Sequence, residues 1–141
     1  MILNPNYPDY LSNGIEEVWV NRELSGVDTA TKSFEEQKIA FDTTRYKTLY
    51  IVFLSHGYSS SPTSYLNYMP KIRETKVVVI SDETVSLSMH WYVSEQVTRN
   101  IKVDNDGVYF YGGRRYTSTI GYGAPDDSLM IPHAIYGSRY V

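Results

Sequence analysis

The most constraining feature of this chain is a succession of short runs rich in Val, Ile, Tyr and Thr, separated by turn residues such as Gly, Pro, Asn and Asp. The clearest case is residues 101–111, IKVDNDGVYFY, where two such runs flank Asp-Asn-Asp-Gly. Asp-Gly between β-rich runs is a strong hairpin signal. No segment has helical periodicity for longer than a turn or two. The sequence therefore predicts an all-β fold, a single antiparallel β-sandwich of about nine short strands, with a closed barrel as the alternative.

The distribution of apolar residues predicts which strands are central. Residues 46–54, YKTLYIVFL, are apolar on both faces and predict a central strand buried between layers. Residues 76–81, KVVVIS, predict a second fully apolar strand. Residues 83–93 alternate Val, Leu and Met with Thr and Ser, which is the period of a half-buried strand. Further short strands are predicted at 18–20, 37–42, 65–69, 114–123 and 130–141.

Length and composition indicate one soluble domain. The 141 residues fit a single domain over residues 15–141, preceded by a turn-rich, irregular N-terminal arm over residues 1–14. Cysteine is absent, which excludes disulfides and thiolate chemistry. A net charge of −3 without a basic stripe argues against a nucleic-acid partner. The longest apolar run, Leu49–Leu54, is too short for membrane insertion, and the first residues do not resemble a signal peptide, so we expect synthesis in the cytoplasm.

One segment raises the question of catalysis. Residues 48–57 form an apolar run that ends in His56-Gly57, an arrangement similar to the strand and oxyanion loop of α/β-hydrolases. Such an enzyme also needs a Gly-x-Ser-x-Gly nucleophile elbow and strands that alternate with long helices, and the sequence contains neither. We therefore interpret His56 as a loop residue after a buried strand and expect no enzymatic activity.

Three candidate metal sites fail on spacing, so no metal or cofactor is expected. If Gly107 is the sixth residue of a calcium loop, the first position is Lys102 and the twelfth is Gly113, and neither is a ligand. Asp126 and Asp127 are adjacent and follow Pro, which is typical of a solvated turn rather than a convergent pair. The three histidines have no partner at ligand spacing: His56, His90 and His133.

Tyrosine is over-represented, with 14 copies beside 4 phenylalanines and 2 tryptophans. It is concentrated in residues 108–122, where strand periodicity puts Val108 and Phe110 on one face and tyrosines on the other. With the Val/Phe face in the core, the tyrosine face is exposed. The candidate binding patch is Tyr109, Tyr111, Arg114, Arg115, Tyr116 and Tyr122. Tyr and Arg are typical of protein interface hot spots; aromatic faces also stack on sugar rings, and a third interpretation is that these tyrosines only cover their own sheet.

A series of short motifs resembles a known group of proteins. The motifs are Trp19-Val20-Asn21, Phe34-x-x-Gln37-x-Ile39, Asp42, Tyr46-Lys47-x-Leu49-Tyr50-Ile51 and Ile131-Pro132-His133-Ala134-Ile135-Tyr136-Gly137. They resemble a small β-sandwich domain of tail and baseplate-associated proteins of siphophages that infect Gram-positive bacteria, related to a domain of phage receptor-binding proteins. The chain is also similar to a free-standing protein of this type from the tail module of a Bacillus siphophage. The match spans about residues 18–137, with short motifs and a loose middle.

The resemblance implies a sandwich with a non-enzymatic role in the virion or in tail assembly. On this hypothesis the chain is a phage tail-associated structural or host-adsorption accessory protein, located in the virion tail after synthesis in the host cytoplasm. Its partners would be other tail or baseplate proteins, or a second copy of itself in a homo-oligomer. The alternative is a carbohydrate-binding module that recognises host cell-wall glycans through the same aromatics. In either case Trp19, Ile39, Leu49 and Ile51 are expected in the core, and Gly137 permits a turn or a close backbone approach.

Overall fold

A computed structural model describes residues 14–24, 33–56, 71–92 and 95–139, and the regular structure in these ranges is almost entirely β. The strands are β1 (Ile15–Val20), β2 (Gln37–Ala40), β3 (Thr48–His56), β4 (Lys71–Val79), β5 (Thr84–Tyr92), β6 (Glu95–Asp104), β7 (Gly107–Thr117), β8 (Gly121–Tyr122) and β9 (Ile131–Ser138). Two single 3-10 turns, Arg22–Leu24 and Thr43–Arg45, complete the regular structure of these ranges. Within them, no helix is long and apolar enough to cross a membrane.

The strands form two antiparallel sheets. The first sheet has the order β1-β9-β3-β4, and the second has the order β2-β7-β6-β5, with β8 paired to β7. One cluster of buried side chains, contributed by strands of both sheets, fills the space between them. The predicted antiparallel β-sandwich of about nine strands is therefore confirmed.

Alternation of side chains along the strands builds the core. The side chains that fill it from the first sheet are Leu49, Ile51, Phe53 and Ile135, and those from the second sheet are Met89, Val97, Ile101, Val108 and Phe110. Trp19 and Ile39 are partly buried against this cluster, so the predicted core positions are correct. Burial of each such side chain stabilises the fold by roughly 1.5–3 kcal/mol, which is how a chain without disulfides holds two sheets together.

A row of aromatic rings runs across the core from one sheet to the other. The ring centroids of Trp19 and Phe34 are 6.0 Å apart, those of Phe34 and Phe110 are 5.5 Å apart, and those of Phe110 and Phe53 are 6.2 Å apart. All three contacts are edge-to-face, the arrangement that the ring quadrupole favours. Phe34, which precedes β2, is thereby fixed against both sheets.

Several of the motif residues hold the first sheet together. The Asn21 side chain is buried and donates from Nδ2 to the Pro132 carbonyl at 3.0 Å, while its backbone N–H donates to the His133 carbonyl at 2.8 Å. Gly137 lies inside β9, directly beneath Tyr46, so that a Cβ there would stand 2.5 Å from the ring. Of the two roles predicted for Gly137, the structure has the close approach and not the turn. These residues build the fold rather than a reactive site.

The predicted hairpin at residues 101–111 is confirmed. β6 and β7 pair from Asp104 and Gly107 outward, with Asn105 and Asp106 as the two turn residues. Gly107 is the first residue of β7 and not part of the turn itself. A Cβ on Gly107 would stand 2.3 Å from the Ile39 carbonyl oxygen, so close packing of β2 against β7 explains the glycine.

Two other strand predictions need correction, and one lies outside the described residues. The run at 76–81, predicted as a fully apolar strand, is only the end of the longer strand β4, which contains charged residues and lies at the sheet edge, where Val77 and Val79 are 61% and 58% exposed. The run at 114–123 is not a separate strand, because its first half continues β7 and its second half contains the short β8. The strand predicted at 65–69 and most of the arm predicted at 1–14 fall outside the described ranges.

Candidate binding face on the second sheet

A β-bulge in β7 decides which side chains of the candidate patch share a face. Arg99 of β6 lies opposite Gly113, and Ile101 lies opposite Phe110, so β7 uses three steps where β6 uses two. The extra residue reverses the alternation of side chains beyond this point. Val108, Phe110 and Gly113 consequently all face the core.

The bulge brings five members of the patch to the outer face of the second sheet: Tyr109, Tyr111, Arg114, Tyr116 and Tyr122. The rings of Tyr109 and Tyr111 pack edge to face at 4.8 Å, and those of Tyr116 and Tyr122 lie 5.0 Å apart. The tyrosines therefore form two pairs, each of which restrains the rotamers of its members.

The sixth member, Arg115, is separated from the others by the same bulge. It pairs in register with Val97, a fully buried residue of the core face, and not with the outward Gln96 or Thr98. Its guanidinium forms an ion pair with Glu95 on the neighbouring strand. The structure therefore does not place Arg115 on the same face as the other five residues of the predicted patch.

Tyr109 is further fixed by a carboxylate from the segment before β2. Its hydroxyl donates to Oε1 of Glu36 at 2.8 Å. This hydrogen bond, which stabilises the neutral phenol, raises the pKa of Tyr109 above its usual value. Glu36 thus holds one end of the tyrosine row and presents a negative charge beside it.

A groove of about 330 Å³ runs along this outer face. The residues that give it chemical character are Glu36, Thr98, Asn100, Tyr111, Arg114 and Tyr122. Two aromatic rings, one acid, one guanidinium, an amide and a hydroxyl thus converge on one concave surface. Ligand sites commonly combine apolar walls with a few placed polar groups in a volume of this order. We refer to this groove and its rim, including Tyr109 and Tyr116, as the tyrosine face.

The tyrosine face is supported from inside by Arg99, the largest fully buried side chain of the described residues. A guanidinium has five N–H donors, and here each meets a backbone carbonyl. The acceptors are Met130 at 2.8 Å from Nε, Phe34 at 3.2 Å and Tyr111 at 2.7 Å from Nη1, and Asp127 at 3.4 Å and Leu129 at 2.8 Å from Nη2. Arg99 therefore joins three segments that border the groove: the lead-in to β2, the β7 bulge and the loop before β9.

The structure shows both the space that accommodates the Arg99 guanidinium and the effect of burial on its pKa. Gly113 faces the guanidinium, and a Cβ there would stand 3.1 Å from Nη2 and 2.5 Å from the Leu129 carbonyl oxygen. Burial lowers the pKa of Arg99 to about 10, partly offset by the charges of Asp127, Asp126 and Glu36, so the side chain remains charged at neutral pH. Met130, whose carbonyl accepts from Nε of Arg99, has φ = 48°, an uncommon conformation for a residue other than glycine.

Sequence reasoning missed Arg99, although the sequence contains a signal for it. In residues 97–103, alternation from Val97 places Arg99, Ile101 and Val103 on the same face. A single charged residue in an otherwise apolar register predicts a buried, fully hydrogen-bonded side chain. The sequence does not indicate which five carbonyls accept from Arg99, because they lie up to 65 residues from it along the chain.

No family model, curated protein or solved structure matches this chain. The tyrosine face and the motif resemblance are therefore the two observations that bear on function.

Other polar clusters are occupied by the protein's own groups. In the β6–β7 hairpin, the Lys38 ammonium lies 3.7 Å from Asp104 and is hydrogen-bonded to Asp106. These contacts raise the pKa of Lys38, and the hydrogen bond lowers the pKa of Asp106. Asp126 accepts from the backbone and hydroxyl of Ser128 in a turn, as predicted. Over the described ranges, no group of three or more His, Asp or Glu is placed to hold a metal. His56 ends β3 rather than starting a loop.

Proposed function

We propose that this chain is a non-enzymatic binding protein of a phage tail or baseplate, and that it contacts another tail protein through the tyrosine face. The observation that carries the proposal is the pre-ordered outer row of tyrosines with Arg114 at its centre. Tyr and Arg contribute most to interface affinity where they are held rigidly, because less side-chain entropy is lost on binding. The assignment to a tail is supported by the motif resemblance alone.

One hydrogen bond and two ring contacts hold the tyrosine side chains of this face in place. Tyr109 is bound by Glu36 at 2.8 Å, and the ring pairs at 4.8 Å and 5.0 Å hold both ends of the row. Arg99 fixes the bulge beneath Tyr111. Such a surface offers a partner rigid aromatic contacts, a cation and an anion within one groove.

The direct test measures binding of the purified chain to individually purified tail and baseplate proteins of siphophages of Gram-positive bacteria, by biolayer interferometry. Tyr111→Ala combined with Arg114→Ala is expected to weaken binding about tenfold or more, as for two interface anchors. The matched control combines Tyr136→Ala and Arg45→Ala, which removes the same residue types from the first sheet and from a 3-10 turn. Equal loss in both double variants, or no binding to any tail protein, contradicts the proposal.

A glycan-binding function is the second candidate, and the groove itself favours it. A sugar ring can pack its C–H face on Tyr111 or Tyr122, while Glu36, Asn100 and Arg114 hydrogen-bond to its hydroxyls. Calorimetric titration with fragments of cell-wall peptidoglycan and teichoic acid separates the two functions. Saturable binding that Tyr111→Ala removes and Tyr136→Ala retains would replace the protein partner by a glycan.

A further inference from the structure

Strand β4 lies at one edge of the first sheet, and no other described strand pairs with its outer side. All nine of its residues pair with β3 in one unbroken register, from Lys71 opposite His56 to Val79 opposite Thr48. Among the strands that the structure describes, β3 is its only neighbour. A regular edge strand of this length presents a row of backbone N–H and C=O groups to a further strand.

The side chains at the middle of β4 carry opposite charges on the core-facing side of the sheet. Glu74 and Lys76 lie opposite Phe53 and Ile51, both of which are fully buried. Their own ion pair is long, at 3.7 Å through Oε1 of Glu74. The other oxygen, Oε2, is buried and has no hydrogen-bond partner within the described residues. A buried carboxylate oxygen without a donor is costly, so this position favours a cation from outside the strand.

Symmetry limits how a second β4 can add to this edge. If two copies of β4 pair antiparallel about a two-fold axis normal to the sheet, the core-facing side chains of both copies stay on the same side. Directly opposed residues also point to the same side of the sheet. The axis must therefore pass beside one residue, which then lies opposite its own copy. An axis at Glu74 opposes two glutamates, and an axis at Lys76 opposes two lysines. An axis at Thr75 places Glu74 of each copy opposite Lys76 of the other copy. The two Thr75 residues lie opposite each other between these two pairs.

We propose that β4 is a self-association edge, and that two copies pair antiparallel about Thr75 to form one continuous sheet of eight strands. The partner is a second copy of this chain because the order Glu-Thr-Lys is complementary to itself. The same inward charges disfavour other strands and other registers, which would leave like or unpaired charges opposed. In this register Val77, which is 61% exposed, lies beside the aliphatic part of Arg73 of the second copy. The inference does not depend on the ligand of the tyrosine face.

Sedimentation equilibrium over a wide concentration range tests the self-association. The wild-type chain is expected to approach twice its monomer mass of 16.2 kDa as concentration rises. Lys76→Glu makes both cross-strand pairs repulsive and is expected to weaken association about tenfold or more. The exchanged variant, Glu74→Lys with Lys76→Glu, restores both attractive pairs and is expected to recover association. Lys102→Glu, on the second sheet, is the control for the charge change alone.

The register has its own test because the chain contains no cysteine. Thr75→Cys puts two thiols opposite each other across the axis, and it is expected to form a disulfide-linked dimer under mild oxidation. Ser81→Cys, just beyond β4, is the matched control and is expected to cross-link much more slowly. Circular dichroism of every variant verifies that the sandwich is folded. A wild-type chain that stays monomeric at all concentrations overturns the proposal, as does a folded exchanged variant no better associated than Lys76→Glu.

Discussion

At the scale of single residues, the burial of Arg99 has a cost for its charge and a gain from its hydrogen bonds. Its lowered pKa of about 10 corresponds to roughly 3 kcal/mol of charge-burial cost. Against that, its removal deprives four backbone carbonyls of a donor, three of them in buried hydrogen bonds, and each buried one left unsatisfied costs about 1–3 kcal/mol. The Asp127 carbonyl keeps a second donor, the Phe34 N–H at 2.8 Å. The lost hydrogen bonds outweigh the relieved charge.

We therefore expect Arg99→Met to destabilise the fold by about 2 kcal/mol or more, although Met has a similar length. Arg99→Lys retains the charge but has only three donors, and it is expected to destabilise the fold as well. Urea unfolding at neutral pH measures both free energies. Arg114→Met, an exposed arginine of the same sheet, is the control and is expected to change stability by no more than ~0.5 kcal/mol. Similar effects at both positions would show that the buried network contributes little.

His133 gives the fold a dependence on mildly acidic pH. It lies at a bulge of β9, where Nδ1 is buried without a hydrogen-bond partner in the described part of the chain. Burial, and to a smaller degree the charge of Arg73, lowers its pKa below the usual value of 6.5. The unfolded chain therefore binds a proton at His133 before the folded chain does, so the stability present above pH ~6.5 is lost as the pH falls through the lowered pKa.

The measurement is a series of urea unfolding curves between pH 7.5 and about pH 5, within the range where histidine titrates. His133→Gln is neutral at every pH, so its stability is expected to fall less than that of the wild type over this range. Subtracting the two profiles removes the contributions of carboxylates common to both proteins. Parallel profiles would mean that His133 has the same pKa in the folded and unfolded chain.

At the scale of strands, the packing of β9 under the 3-10 turn predicts that alanine at Gly137 destabilises the fold much more than alanine at Gly123. An alanine at Gly137 puts its Cβ 2.5 Å from the Tyr46 ring, whereas at Gly123 the nearest atom is 3.4 Å away. We expect Gly137→Ala to cost about 1–3 kcal/mol through overpacking, and Gly123→Ala to cost much less. A double-mutant cycle of Gly137→Ala with Tyr46→Ala, which removes the Cγ and Cδ1 atoms that the new Cβ would meet, checks the cause in urea unfolding. Strict additivity of the two substitutions would contradict a clash between these residues.

The strands also show what the sequence could predict and where it could not. The β6–β7 hairpin and the inward face of β5 depend on turn residues and alternation, which are local, and both were predicted correctly. The edge position of β4 depends on non-local strand pairing with β3. The local sequence Val77–Val79 does not show this, because the same apolar run fits a central strand or an edge strand. The separation of Arg115 from the face of Tyr109 and Tyr111 depends on one extra residue in β7, which reverses the alternation, and this bulge has no clear local signature.

At the scale of the whole molecule, neither sheet is a separate unit along the chain. The first sheet contains β1 and β9 from the two ends of the described chain, with β3 and β4 from its middle, and the second sheet takes β2 from the first half and β5 to β8 from the second. One buried cluster serves both sheets. Since neither sheet can cover its apolar face without the other, the sandwich is expected to unfold in a single cooperative step.

The two tryptophans allow this cooperativity to be measured sheet by sheet, because Trp19 is in β1 of the first sheet and Trp91 is in β5 of the second. Trp91→Phe leaves a probe in the first sheet, and Trp19→Phe leaves one in the second. In each variant, the urea transition followed by tryptophan fluorescence is expected to coincide with the far-ultraviolet circular dichroism transition, which reports on both sheets together. Comparison within one variant cancels any change of stability caused by the substitution. If fluorescence and circular dichroism differ in midpoint in either variant, one sheet persists without the other, and the shared core is not what makes the fold cooperative.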